Sequence, residues 1–400
     1  MIKMKILMLA QEDPMHPGGG LGVHLHHLAT ELSVLGVEVT VVATDLRTQQ
    51  GGLWICKDGK YILSHKDDWA TSAGNWRLLN VFNANDLSLQ ESNAAFTNLI
   101  TLENYNKSIL HFLKDDEFDL IHVHDSSVWR SASLFSDYFD AKVIYSCHLL
   151  SSRLLQEENL YADHLDSVKY IVQTELSGLH QSHGVIAVSE AYKKECESLF
   201  VHPPKIVAIH NGVSVPDVKF SSKLYEKARN GKEKLVVFVG RMSGQKGIDE
   251  IIDTAATQPQ FQFYLVSSIS PTAEDLCRLC SEVQNYKGDN LVWLNQFPQK
   301  DKWELMKAAD IGVVASTHEP FGIVALEWMA LGVPLVTTTC DGLGEFCNAE
   351  NSFPYERGQL AEALESVNLY TIEAGYETAR HFTWAKTAKE TLDYYAKIID

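Results

Sequence analysis

Residues 5–42 read KILMLAQEDPMHPGGGLGVHLHHLATELSVLGVEVTVV, and this stretch decides the fold. Lys5 to Ala10 is a nearly unbroken apolar run of strand length. Pro14 to Gly20 is a loop by composition. Leu21, Leu25, Leu28, Leu32 and Leu35 then recur at helical spacing, and Gly36 marks the helix end. Val37, Val39, Val41 and Val42 supply a second strand. Strands apolar on both faces need cover on both faces, which a parallel sheet between layers of helices provides. The stretch therefore predicts a βαβ unit and an α/β fold.

The pattern continues along the chain. Apolar strands are expected at Leu120–Val123, Val143–Tyr145 and Val185–Val188, ending at the polar residues His124, Cys147 and Ser189. Polar groups just past strand ends are where open parallel sheets hold ligands. Thr48–Phe96 is less regular and reads as short hairpin strands and loops inserted in the first domain, followed by a helix over Glu103–Leu113. After Val215 the composition shifts. Lys219–Lys234 reads as a linker with a surface helix.

The βα pattern then restarts, with strands at Leu235–Val239, Phe263–Val266, Leu291–Leu294, Ile311–Val314 and Pro334–Thr337. Helices fit over Ile248–Ala255, Lys302–Ala309 and Val324–Leu331. Two α/β domains are expected, 1–215 and 216–383. The final amphipathic run, Trp384–Ile399, is predicted to cross back and complete the first domain with about residues 384–400. A length of 400 residues suits two cores better than one.

Bulk charge narrows the function. With 34 Lys plus Arg against 52 Asp plus Glu, the formal charge is −18, which opposes a general nucleic-acid or anionic-membrane surface but not a local anion site. The apolar run at the start of the sequence is too short for a signal peptide or a membrane span. Seven scattered cysteines, an odd number, fit a reducing compartment, so a cytoplasmic protein is expected. Cys277 and Cys280 form one C-x-x-C pair with no second pair at zinc-finger spacing; two thiols on one turn of a surface helix is the first reading and a redox-active pair the alternative.

Four groups of residues can carry chemistry. Gly18, Gly19 and Gly20 lie between the first strand and a helix, where backbone can approach a pyrophosphate; a plain turn is the equal alternative. Their spacing is not the G-x-G-x-x-G of dinucleotide binders. Arg241 and Lys246 stand among Gly240, Gly244 and Gly247 after a buried strand, two cations suited to diphosphate oxygens.

The third group is His318-Glu-Pro-Phe-Gly322 with Glu327 on the following helix. A carboxylate in the apolar run Val324–Ala330 should pair or bind something, and a ribose diol can donate two hydrogen bonds to it. The fourth is His122, His124 and Asp125 after one strand and His148 after the next. Alternation places His122 and His124 on one face and Val123 on the other. A metal is one reading of this cluster and hydrogen-bonding histidines are the other. Asp67-Asp68 and Asp115-Asp116 are adjacent acids expected to face solvent, and neither forms a D-x-D pair that would call for a metal.

Taken together these motifs resemble the retaining nucleotide-sugar glycosyltransferases of the glycogen-synthase-like and bacterial mannosyltransferase-like superfamily, glycosyltransferase family 4 in type. The carrying residues are Gly18-Gly19-Gly20, His-Val-His-Asp at 122–125, Asn-Gly-Val at 211–213, Gly-Arg-Met-Ser-Gly-Gln-Lys-Gly at 240–247, and Glu-Pro-Phe-Gly at 319–322 with Glu327 eight positions beyond Glu319. They occur in family order over nearly the whole chain.

The resemblance implies the GT-B arrangement, two Rossmann-like domains facing across a cleft, with the acceptor held mainly by the first and the donor by the second. It implies that Arg241 and Lys246 bind the donor diphosphate and that Glu327 binds the ribose. Glu319 would lie beside the transferred sugar, and Phe321, Gly322 and Ile323 would bring backbone N–H groups to sugar or phosphate. Gly19 and Gly20 would meet the phosphates from the first domain. His148 would sit at the donor sugar, His124 and Asp125 on the acceptor side, and the backbone of Gln296 and Phe297 near the base.

The resemblance implies no metal and no cofactor beyond the nucleoside diphosphate sugar itself. The partners are this donor and a sugar, polysaccharide or small-molecule acceptor, with no nucleic acid; peripheral membrane contact stays open. Two departures stand out. Pro17 precedes Gly18 where bacterial glycogen and starch synthases usually carry Lys, and Phe297 stands where the family often has Gly. The rival readings are a sugar-nucleotide epimerase or a phosphorylase of the same fold, the latter without any visible pyridoxal-phosphate lysine motif, and a non-catalytic sugar-binding subunit.

Overall fold

The computed structural model describes residues 4–15, 19–43, 52–57, 60–63, 75–80, 109–156, 165–267, 280–295 and 298–400. The chain divides into two compact units. One comprises 1–188, 193–210 and 384–400, and the other 189–192 and 211–383.

The first unit holds a nine-stranded sheet. Its strands are β1 (Lys5–Ala10), β2 (Glu38–Ala43), β3 (Gly52–Lys57), β4 (Lys60–Leu63), β5 (Trp76–Asn80), β6 (Leu120–His124), β7 (Lys142–Cys147), β8 (Gly184–Ala187) and β9 (Ile206–Ala208). They lie in the order β4-β3-β5-β2-β1-β6-β7-β8-β9. From β5 to β9 all pairings are parallel, and β3 pairs antiparallel with both β4 and β5.

The expected hairpin thus exists as β3 and β4, but it extends the edge of the main sheet. Trp76 and Leu78 are wholly buried there and anchor that edge. Arg77 is buried beside them. Its Nε donates to Thr40 Oγ1 at 2.8 Å and its Nη1 to Asp116 Oδ1 at 2.8 Å. The expectation that Asp116 faces solvent is therefore corrected: it neutralises a buried guanidinium, while Asp115 is exposed. Asp67, Asp68 and the first part of the helix expected at Glu103–Leu113 lie outside the described residues, as does Cys277.

The second unit holds a six-stranded, wholly parallel sheet. Its strands are β10 (Lys234–Val239), β11 (Phe261–Ser267), β12 (Leu291–Asn295), β13 (Ile311–Val314), β14 (Leu335–Thr337) and β15 (Phe353–Pro354), in the order β12-β11-β10-β13-β14-β15. The buried faces of β10, β11 and β13 pack with the helix Ile248–Thr257 around Phe238, Ile251, Phe263 and Val313.

Both sheets reverse direction once. From β1 the order runs to β2 on one side and to β6 on the other, and from β10 to β11 and to β13. Loops leaving strands at such a reversal part to opposite faces and open a crevice at the carboxyl ends. The loops after β1, β6, β10 and β13 are the ones that carry the motifs.

The helix Trp384–Ile399 belongs to the first unit, where its buried Ala388, Tyr394 and Tyr395 complete the core beside β1, β2 and the helix Gly20–Val34. Thr387 Oγ1 donates to the carbonyl of His210 at 2.7 Å, and Lys142 Nζ donates to the terminal carbonyl of Ile398 at 2.6 Å. A cation on the last carbonyls of a helix complements its dipole. Among the described residues no helix is long and apolar enough to cross a membrane.

Candidate functional site

In the second unit the loop after β10 and the loop after β13 meet. Thr317 N–H donates to the carbonyl of Gln245 at 2.8 Å. Gly247 makes this approach possible: its φ is +68°, and a Cβ there would lie 2.0 Å from the Ala315 carbonyl oxygen. The result is a nearly buried ion pair, Lys246 Nζ to Glu319 Oε2 at 2.6 Å, with Ser316 Oγ donating to the same oxygen at 3.0 Å. Arg241, half-buried, stands on the same loop as Lys246.

Gly322, at φ +100°, begins the helix Ile323–Leu331 with no side-chain cap. The first N–H groups of that helix therefore present partial positive charge in the manner that binds anions. Phe321 is buried against the rings of Phe346 and Phe382. Glu327 sits on the same helix and is also buried. Burial pushes its carboxyl above the ordinary carboxylate range, and the opposing cation is Lys302, whose Nζ lies 3.4 Å from Oε2. Gln296 and Phe297 lie outside the described residues.

In the first unit Gly19 and Gly20 begin the helix Gly20–Val34, and Gly19 N–H donates to the Glu12 carboxylate. Gly18 is outside the described residues. Asp125, at φ +63°, turns the chain after β6. Its Oδ1 accepts from the N–H groups of His148 (2.7 Å) and Leu149 (3.2 Å), so this carboxyl shapes the loop that carries His148. Burial raises Asp125 to about 7 against the pull of those two N–H groups.

The histidines form a stack. His122 and His124 share a face with ring centres 4.1 Å apart, while Val123 is buried on the other. His24, from the helix after the glycines, lies edge-on to His148 at 4.5 Å. His124 Nδ1 and His148 Nε2 are 3.0 Å apart, and His124 Nε2 is buried with no hydrogen-bond partner. An unpaired N–H costs more than an unpaired lone pair. The favoured tautomer therefore has His124 Nδ1–H donating to His148 Nε2.

His122 links the Tyr395 hydroxyl (2.6 Å) to Ser146 Oγ (2.6 Å). Burial, followed by the neighbouring rings, holds His122, His124 and His148 well below the ordinary imidazole range, so all three are neutral. His24, His124 and His148 also offer nitrogens within 4.8 Å of one another, a spacing open to a metal ion.

Sequence reasoning missed His24, Lys302, Tyr395, Tyr192 and Asp341. His24 had a signal in the run His24-x-His26-His27 directly after the glycines. The others had none, because each meets the site from a distant part of the chain.

Comparisons with known proteins give the family. The family model described as Glycosyltransferase Family 4 matches residues 18–215, and that described as Glycosyl transferases group 1 matches residues 222–375. An uncharacterised glycosyltransferase of Methanocaldococcus jannaschii is 27% identical over 98% of each chain. A glycogen synthase of Mycobacterium tuberculosis is 25% identical over 98% of this chain and 94% of its own. The structure of a sucrose-phosphate synthase from Thermosynechococcus elongatus superposes with a TM-score of 0.79 over 99% of both chains, at 19% identity. The chain belongs to the GT-B glycosyltransferases of the family 4, glycogen-synthase-like superfamily, enzymes that transfer a sugar from a nucleoside diphosphate donor with retention of configuration.

Proposed function

We propose that residues 216–383 form the donor-binding domain of this transferase, and that residues 1–215 with 384–400 form the acceptor-side domain. Arg241 and Lys246 grip the donor diphosphate, and the helix N-terminus at Gly322 and Ile323 adds its N–H groups. Glu319 and the backbone of Phe321 hold hydroxyls of the transferred hexose. Glu327 accepts from the ribose, and Gln296 and Phe297 flank the base. Gly19 and Gly20 meet the phosphates from the first domain, His148 lies at the donor sugar, and His124 with Asp125 shapes the acceptor side.

The observation that carries this reading is the Lys246–Glu319 pair at the reversal point of the six-stranded sheet. It puts a cation for phosphate and a carboxylate for hydroxyls within one hydrogen bond of each other.

In transfer, the bond from the anomeric carbon to the diphosphate breaks, and the acceptor oxygen bonds to the same face. The acceptor proton passes to the departing diphosphate. Charge accumulates on that diphosphate, where fixed cations and helix N–H groups stabilise it most. The free thiols of the described cysteines suit a reducing, cytoplasmic compartment.

A donor panel tests the proposal. Purified protein is mixed with UDP-glucose, GDP-mannose or ADP-glucose, with and without sugar acceptors, and released nucleoside diphosphate is measured. Acceptor-dependent release from one donor is expected. Conversion of donor to its epimer without an acceptor would instead show an epimerase, and binding without turnover a sugar-binding subunit.

A further inference from the structure

Glu319 can serve a sugar only if its backbone is held in one orientation, and a segment without regular secondary structure does not do this by itself. The residues that hold it come from the turn after β14. Asp341 opens the short helix Asp341–Glu345 at φ +45°, a left-handed conformation that costs a residue with a side chain what it would not cost glycine. Its side chain is used. Oδ2 accepts from Glu319 N–H at 2.9 Å and from His318 Nδ1 at 2.6 Å. The next residue, Gly342, donates its N–H to the Glu319 carbonyl at 3.1 Å. A Cβ on Gly342 would lie 2.3 Å from the Pro320 carbonyl oxygen, so only glycine permits that approach.

Asp341 and Gly342 therefore bracket Glu319, one at its N–H and one at its C=O. The neighbouring groups follow. A carboxylate only accepts, so His318 Nδ1 is the donor to Asp341, and its Nε2 lies 3.1 Å from the Tyr192 hydroxyl. Ser189 Oγ donates to the Pro320 carbonyl at 2.7 Å. With its main chain fixed this way, the Glu319 side chain reaches Lys246 and Ser316.

We propose that Asp341 is a positioning residue for sugar transfer: its carboxylate sets the direction of Glu319 and the orientation of the His318 ring. The inference rests on the reading of Glu319 given above. Asp341 itself touches no substrate in this account. It acts through Glu319, and its strained backbone is retained for the sake of two hydrogen bonds.

The test compares D341G, D341N, E319A and the double variant D341G/E319A. It measures kcat and donor KM by nucleoside diphosphate release from whichever of UDP-glucose, GDP-mannose or ADP-glucose turns over, and melting temperature beside them. D341G removes the carboxylate and relieves the left-handed strain. Its kcat should fall roughly tenfold or more while donor KM moves less than about threefold and the melting temperature does not drop. D341N keeps an oxygen that can accept both bonds and should recover most of the lost rate.

Because Asp341 acts through Glu319, the double variant should be no slower than E319A alone. Wild-type kcat in D341G, or losses that multiply in the double variant, would overturn the proposal. So would a rate loss that only follows the unfolded fraction. Wild-type turnover by E319A would instead overturn the reading of Glu319, which separates the two failures.

Discussion

Lys246 and Glu319 neutralise each other across two loops, Nζ to Oε2 at 2.6 Å, with side chains only 15% and 11% exposed. A pair this sheltered cannot lose one member cheaply, because the other is left as an uncompensated charge. Lys246→Ala should lower kcat/KM for the donor by tens to thousands-fold, the equivalent of ~2–5 kcal/mol for a desolvated charged contact. Glu319→Gln should also reduce turnover, but with released phosphate charge still bound by Lys246. Steady-state kinetics with donor titration checks both. Wild-type kcat/KM in Lys246→Ala would remove the cation from its assigned role.

Gly247 is the backbone hinge that lets this pair form. At φ +68°, and with a Cβ placed 2.0 Å from the Ala315 carbonyl oxygen, alanine must both adopt a left-handed conformation and push a strand-end carbonyl aside. Gly247→Ala should cost about 3 kcal/mol of stability, from left-handed strain and overpacking together. Urea denaturation measures this directly. A variant with an unchanged midpoint would show that the two loops do not approach as described.

The histidine stack makes stability depend on pH. His122, His124 and His148 are held neutral by burial, so their folded pKa values lie below the unfolded one. Their contribution is complete above the unfolded value near ~6.5 and is lost as pH falls below it. Asp125, raised to about 7, has the opposite sign: folding favours its protonated form, so its contribution grows as pH falls through 7.

Within this cluster three histidines outnumber one aspartate, so its net contribution to stability falls as pH drops below about 6. Denaturation at pH 7.5, 6 and 5 should show the loss, and His122→Gln should flatten it by about one proton. An unchanged pH dependence in His122→Gln would contradict a neutral buried ring at that position.

Charge neutralisation at the diphosphate is supplied by the protein in this reading. On the proposal above, Arg241, Lys246 and the helix beginning at Ile323 would take the role that a divalent cation plays in other transferases. Turnover should therefore persist in excess EDTA, and added Mg2+ should change the rate by less than about twofold. A rate that collapses on chelation and returns with Mg2+ would show that the two cations are insufficient.

Much of this molecule is readable in its linear order. The apolar runs at Lys5–Ala10 and Leu235–Val239, the helical leucines from Leu21, and the glycine loops after each first strand are local patterns, and local patterns follow from backbone propensity and the need to bury one face. Glu327 is legible as a charge in an apolar run, Arg241 and Lys246 as cations in a glycine-rich loop after a strand, and Glu319 through the Glu-Pro-Phe-Gly motif.

Partnership was not legible. Lys302 meets Glu327, Tyr395 meets His122, Asp116 meets Arg77, and Asp341 brackets Glu319 with Gly342. Each contact joins residues whose separation along the chain says nothing about their distance in space. Only the tertiary packing of strands and helices brings these residues together, and burial then decides which charges must pair and which histidines stay neutral.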